Sequence, residues 1–216
     1  MSGSLAETQK KIKEEFEYMR IRKWITFCVI YFLGYRVIEN RVSRFHIIDT
    51  PVDTWIPFCK IFVIPYLLWF LYAVLTILFF CKKQQQEEES NRLLKAYIIG
   101  AVVFFVVSLC YPNIQYLRPA VVGNDVFGKL IKMIYSMDTA TNILPSLHVY
   151  ISVACYIAIA KNEMCRKRKG LVLLTFFLTV MIILSTMLIK QHSIVDVVVA
   201  LFLNAIVYCL LYREKT

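Results

Sequence analysis

The sequence predicts an all-α protein, a polytopic bundle of six transmembrane helices with both termini on the cytoplasmic side. Three observations carry that expectation. Of the 216 residues 59% are hydrophobic and 19% charged, and mean hydropathy is +0.60, which is too apolar for an ordinary soluble domain. The apolar residues gather into six runs, and the basic residues divide unevenly between the segments that separate them. Such a composition excludes a disordered chain and a disulfide-stapled secreted module.

The elements follow in order. Residues 1–23 mix Glu14, Glu15 and Glu17 with lysines and read as a solvated or surface helix, forming a cytoplasmic segment. They lack an early apolar core and a small-residue cleavage site, so no cleavable signal peptide is expected. The first run, 24–35, has only 12 charge-free residues before Arg36, with Val37 and Ile38 continuing it. It reads either as a short span or as a helix lying in the interface. The run 61–81 has 21 residues without a charge, and 170–189 and 193–212 have 20 each, interrupted only by Asp196. Each is long enough to cross a hydrocarbon core. The runs 96–111 and 145–160 have 16 residues each, and Leu93, Leu94, Lys95 and Lys161 extend them toward headgroups. The transmembrane unit is thus 24–212, followed by a tail at 213–216.

Orientation comes from the 25 Lys and Arg residues. Six lie in 1–23, four in 82–95, five in 161–169 and two in the tail, against seven on the other side, with Lys60 just inside a span. By the positive-inside rule the segments at 39–54, 112–144 and 190–192 face outward. The net charge of +10 is concentrated beside spans and forms no basic stripe interleaved with aromatics, which argues for anionic headgroups and against nucleic acid. The seven cysteines, at 28, 59, 81, 110, 155, 165 and 209, show no metal-ligand spacing and read as small apolar packing residues. The Gln/Glu-rich stretch 84–89 reads as a solvated connector.

The outward segment 112–144 is long for a compact bundle. Within it Val126, Leu130 and Ile134 recur at i, i+4, i+8 with Phe127, Ile131 and Tyr135 beside them, while Lys129, Lys132 and Asp138 are polar. That pattern predicts a short interfacial helix, either a lid over an amphiphilic substrate or a structural cap.

Two of the three histidines, His148 and His192, fall at outer ends of spans. His192 and Asp196 stand at i and i+4, a spacing that puts both on one helical face and lets a carboxylate fix one imidazole tautomer. The same spacing also suits a purely structural hydrogen bond. Asp196 is the sole acidic residue inside a span, where it needs a partner or a wet cavity. Pro145 is expected as the first residue of a helix, with Ser146, Leu147 and His148 in its first turn and backbone donors left for an anion. Arg118 adds a guanidinium able to grip phosphate, and Lys190 is a further candidate cation. No acidic cluster with magnesium or zinc spacing is evident, so no metal and no cofactor is expected. Two histidines, one carboxylate and cations suit phosphoryl transfer through a covalent phosphohistidine.

These residues resemble the type-2 phosphatidic acid phosphatase superfamily of membrane lipid phosphatases and phosphotransferases. Its Lys-x6-Arg-Pro motif is matched by Arg118-Pro119, with Tyr111 at the lysine position. Its Pro-Ser-Gly-His motif is matched by Pro145, Ser146 and His148, with Leu147 at the glycine. Its Ser-Arg-x5-His-x3-Asp motif is matched by Ser185, His192 and Asp196, with Thr186 at the arginine. The likeness runs directly from 118 to 196, and the six-helix layout extends it over most of the chain. By position it implies His192 as nucleophile, Asp196 as its orienting partner, His148 as general acid, and Arg118 and Ser146 as phosphate binders. Ser185 joins them as a phosphate-side residue, and Lys190 is a candidate replacement for a missing cation. Leu147, Lys190 and the stretch Asp53-Thr54-Trp55-Ile56-Pro57-Phe58 look similar to the inositol phosphorylceramide synthase branch, which transfers onto an alcohol.

The resemblance implies an integral membrane enzyme, metal-independent, that hydrolyses a lipid phosphate or diphosphate at the outer leaflet, with the plasma membrane as the expected location. Its partners would be the lipid substrate and membrane lipids. A phosphotransferase moving a headgroup onto an alcohol is the near alternative. A transporter or structural bundle accounts for the spans and leaves the paired motifs unexplained, and the two missing cations raise the reading of an inactive member.

Overall fold

The computed structural model describes residues 2–41, 44–82 and 86–213 and is mostly helical, with 76% of the residues in helices. The predicted surface segment and the first apolar run fuse into one helix, α1 (Ser2–Glu39). A two-residue strand β1 (His46–Ile47), a five-residue helix α2 (Pro51–Trp55) and a 3-10 turn (Lys60–Phe62) lead into α3 (Val63–Lys82) and α4 (Glu87–Cys110). Then come β2 (Asn113–Ile114), α5 (Val126–Met137), α6 (Leu147–Lys161), the short α7 (Glu163–Arg166), α8 (Lys169–Leu188) and α9 (Ile194–Leu211). The strands, which an all-α expectation omits, pair in parallel with His46 opposite Asn113 and tie the segments after α1 and α4 together.

Among the described residues four helices are long and apolar enough to cross a membrane: Lys60–Lys82, Glu87–Cys110, Lys169–Leu188 and Ile194–Leu211. The two other expected spans fall short for separate reasons. Helix α6 has 15 residues, about 22 Å at 1.5 Å per residue, against a core of roughly 30 Å. The apolar part of α1 is bracketed by Lys23 and Arg36.

Helix α6 is the hub, packed against α3, α4, α8 and α9. Small residues on it, Ala154, Cys155 and Ala158, and Ala200 on α9 are buried in the main core with Leu93, Tyr97, Ile182 and Val207, so backbones approach closely as in membrane bundles. Gly100 of α4 is required there, since a Cβ would stand 2.2 Å from the Tyr150 ring. Tyr150 donates to the Ala96 carbonyl at 2.6 Å and its own carbonyl accepts from Asn204 at 3.2 Å. Outward-facing Phe70, Leu75, Leu174, Phe177, Phe202 and Leu210 are exposed, the belt that a hydrocarbon solvent accommodates.

Three expectations are corrected. The stretch 84–89 is not wholly a connector: Glu87, Glu88 and Glu89 form the first turn of α4, where acidic residues suit the helix dipole. Gln86 is buried and accepts from Asn162, while residues 84 and 85, like tail residues 214–216, lie outside the described residues. Helix α5 forms as expected, but Val126 is 70% exposed. The face it buries is Ile131 and Ile134 with Phe127, Leu130 and Tyr135 beside them, closing a second core over Val63, Tyr66 and Ile189. The backbone turn at 144–147 also differs. Helix α6 starts at Leu147 with Ser146 as its N-cap, so Pro145 precedes the helix; a serine oxygen able to accept an end donor wins the cap position over proline's fixed φ.

Candidate functional site

The segments between helices bring His148 and His192 together at the end of the bundle where α3 and α6 begin. His192 Nδ1 and Asp196 Oδ2 lie 2.7 Å apart, and His192 Nε2 faces His148 Nδ1 at 3.4 Å. With the ionised Asp196 accepting from Nδ1–H, Nε2 carries the lone pair, and His148 Nδ1–H donates toward it. The pair does not share a helical face as the spacing suggested. Helix α9 begins at Ile194, and extended Ser193 (φ −81°, ψ 161°) turns the chain so that His192 reaches Asp196 from outside the helix. Asp196 is wholly buried, and its backbone carbonyl accepts from Ser146 N–H at 3.2 Å, which fixes the start of α6 to the start of α9.

Helix α3 supplies a wall that no local sequence pattern announces. The ring of Tyr66 stacks on His148 at 4.5 Å and Trp69, one turn on, meets the same imidazole at 4.3 Å. Tyr66 donates to Asp138 Oδ2 at 2.7 Å, and Gln191 Nε2 donates to that oxygen at 3.0 Å. A second carboxylate thus stands beside the histidines.

The expected phosphate-side residues divide. Arg118 lies at this rim, donating to the Tyr135 carbonyl at 3.1 Å and the Asp138 carbonyl at 2.6 Å, with its guanidinium 4.3 Å from the Tyr135 ring centroid. Burial pulls its pKa below the ordinary arginine value, opposed by Asp138. Ser146 is wholly buried, its Oγ accepting from Val149 N–H at 3.4 Å. Ser185 is equally buried and donates to the Ile182 carbonyl at 2.6 Å. Lys190 is turned away: its ammonium donates to the carbonyls of Asp53 at 2.7 Å and Ile56 at 2.5 Å. Desolvation lowers its pKa, against the raising effect of Asp53. Thr186, at the motif's arginine position, donates to Ile183 O, and Tyr111, at the lysine position, stacks on His46 at 4.2 Å.

Four buried polar atoms of this network lack a partner among the described residues: the donors Arg118 Nε and Trp69 Nε1 and the acceptors Gln191 Oε1 and Asp196 Oδ1. A buried polar atom left unpaired costs about 1–3 kcal/mol, so the rim is chemically suited to a polar, partly anionic ligand. Among the described residues no group of three or more His, Cys, Asp or Glu side chains is disposed to hold a metal ion, and all seven cysteines are free thiols.

Asp53 is the residue whose position sequence reasoning could not supply. It is 1% exposed and accepts from Ser193 Oγ at 2.7 Å and from Ile194 N–H at 2.7 Å. Burial alone would raise its pKa, but these bonds and those from Thr50 hold it below the usual carboxylate range.

Compared with known proteins, the chain matches a family model over residues 56–210, described as the PAP2 superfamily. No curated protein matches it significantly, and no solved structure does. The matched segment takes in α3 to α9 and every candidate residue from Arg118 to Asp196.

Proposed function

The chain belongs to the type-2 phosphatidic acid phosphatase superfamily, whose members are in general phosphatases and phosphotransferases, and from that premise we propose a membrane enzyme that transfers the phosphoryl group of a lipid through His192. The observation that carries the reading is the relay from Asp196 to His192 to His148, at 2.7 and 3.4 Å. In the first step His192 Nε2 forms a bond to phosphorus as the bond to the leaving oxygen breaks. His148 gives that oxygen its proton, while Asp196 stabilises the charge on His192. In the second step an acceptor hydroxyl attacks phosphorus, its proton passes to His148, and the N–P bond breaks. The phosphoryl group must enter by displacing the contact between the two imidazoles. Arg118 donates two nitrogens to carbonyls and keeps Nε without a partner among the described residues, and it is the candidate cation for the transferred oxygens.

The wider placement follows the same reading. Six helices cross the membrane, with α1 tilted through the interface and α6 shielded at the centre, where a short helix needs no contact with lipid along its whole length. Residues 1–23 and the tail 213–216 lie in the cytoplasm, 24–212 form the enzymatic unit, and the histidines face the outer side of the plasma membrane. No metal or cofactor takes part.

Hydrolysis of a lipid phosphate is the first reading. One observation favours transfer from a phosphodiester to an alcohol: the cations of the family motif are replaced by Tyr111 and Thr186, Lys190 is committed to carbonyls, and Asp138 adds a negative charge. A phosphomonoester carries close to two charges at neutral pH, and an unbalanced charge at 4 Å costs about 4 kcal/mol at an effective dielectric of 20. A singly charged diester is the easier guest.

The test is turnover by detergent-purified protein. Phosphate release from phosphatidic acid, phosphatidylglycerol phosphate and polyprenyl diphosphate is compared with headgroup transfer from a labelled phosphodiester lipid, with His192→Ala as control. Release that disappears in the variant supports the phosphatase. Transfer without release selects the phosphotransferase, and activity retained by the variant overturns the phosphohistidine.

A further inference from the structure

His192 stands in the irregular segment that joins α8 to α9, with no helix of its own to hold it. Lys190, two residues before it, adopts a left-handed backbone (φ 56°), a conformation that a non-glycine residue keeps only when its surroundings impose it. The surroundings that impose it include α2. On one side of His192, Lys190 Nζ grips the Asp53 and Ile56 carbonyls at the C-terminal end of α2, where a cation meets the negative end of the peptide dipoles. On the other side, the two oxygens of Asp53 take Ser193 Oγ–H and Ile194 N–H. Thr50 N and Thr50 Oγ1 donate to Asp53 Oδ2 at 2.8 Å each, so the carboxylate is itself oriented. The residues flanking the imidazole are therefore pinned to one five-residue helix from 140 positions earlier.

The arrangement also occupies the N-terminus of α9. Ser193 accepts from Val195 N–H at 3.2 Å and Asp53 takes the first helical N–H. Two of the donors that an anion would otherwise meet there are used by the protein, and the carboxylate serves geometry and not substrate binding.

We propose that Asp53 is a positioning residue for the reaction, holding Ser193 and Ile194 so that His192 keeps Nδ1 on Asp196 and presents Nε2 to phosphorus. The proposal rests on His192 being the nucleophile. Asp53 touches neither substrate nor reacting atoms and acts through the backbone on either side of the imidazole.

The experiment measures kcat, KM and the pH dependence of kcat/KM on the lipid that turns over in the substrate panel, for full-length Asp53→Ala, Asp53→Asn and Ser193→Ala beside His192→Ala. Rates are normalised to monodisperse folded protein. Asp53→Ala lowers kcat by about 100-fold, the effect of roughly 1 Å of misplacement at a reacting group, while KM stays within about twofold. Asp53→Asn recovers part of the loss because its amide oxygen still accepts from Ile194 N–H, and the pH limb set by the His192–Asp196 pair moves in both variants. A merely structural carboxylate lowers the folded yield and leaves kcat and that limb unchanged, which overturns the proposal. Should Asp53→Ala not fold, Asp53→Asn and Ser193→Ala decide: kcat reduced at constant KM supports the clamp, and wild-type kcat in both overturns it. If His192→Ala retains turnover, the nucleophile assignment itself fails, whatever Asp53 does; if His192→Ala is inert and Asp53→Ala is as active as wild type, only the clamp fails.

Discussion

The two ends of the bundle are both polar, and they are polar in different ways. At the end bearing α7, Arg92 pairs with Glu88 and Glu89 within one helix turn, Lys161 lies over Tyr208, and Asn162 donates to Gln86. These groups line a cavity of about 1310 Å³. At the other end Asp196, His192 and His148 are joined side chain to side chain, Asp138 accepts from Tyr66 and Gln191, and Arg118 donates to two backbone carbonyls, with four of the network's atoms left without a partner among the described residues. The α7 end is held by ion pairs and amide bonds near the surface and also leaves Glu89 Oε2 and Tyr212 OH without a partner among the described residues; what sets the histidine end apart is two imidazoles and a carboxylate within hydrogen-bond reach of one another. A preorganised group of titratable side chains marks a candidate site better than an opening in the surface does.

That contrast can be broken most directly at His192. Its replacement by alanine is expected to lower turnover about 10⁴-fold or more, measured as steady-state rate on the active lipid, with the melting temperature in detergent little changed. Rates within tenfold of wild type would make the histidine end as passive as the other. Replacing His148 by alanine comes next, with a loss of about 10²- to 10³-fold on a lipid leaving group. The deficit should shrink on an activated aryl phosphate ester whose leaving oxygen needs no proton, and an equal deficit on both substrates would remove the acid role. Asp196→Asn preserves shape and costs about 10- to 100-fold, read from kcat. The smallest effect on rate is expected at the α7 end: Asn162→Ala removes the cap of α7 and the bond to Gln86. It should lower stability by about 1–2 kcal/mol with turnover per folded molecule unchanged. A rate loss there comparable to that at His148 would mean that the two ends are coupled.

Acid sharpens the same contrast. Asp53 has a depressed pKa, so its contribution to stability is present above the unfolded carboxylate value, about 3.9, and is lost as pH falls through the lower folded value. The segment around His192 should therefore keep its order through mild acid. The difference in melting temperature between wild type and Asp53→Asn is expected to stay constant from neutral pH down to about pH 4 and to shrink below it.

Much of this was legible in the sequence because it depends on local spacing. Apolar run length gave α3, α4, α8 and α9, and the 3.6-residue period gave α5 within its own boundaries. The relay of His148, His192 and Asp196 was legible from motif order, although the helix was expected to begin before His192. What was hidden depends on contacts far apart in the chain. Tyr66 and Trp69 look like ordinary members of an apolar span, and nothing local distinguishes them from Leu67 or Leu68. Lys190 read as a free cation because a sequence does not show that two carbonyls of α2 will meet it. Val126 has the right period for the buried face, but it occupies the first position of α5, where the underlying core has already ended.

The cap of α9 has a consequence for how the protein comes into being. Asp53 leaves the ribosome long before Ser193 and Ile194, from which it is separated by 140 and 141 residues, and closing so long a loop must await the helices between them. The environment of His192 is thus among the last features to be completed. A chain that already has most of its helix still lacks these bonds, and the segment carrying His192 is not held in place until the whole bundle has closed.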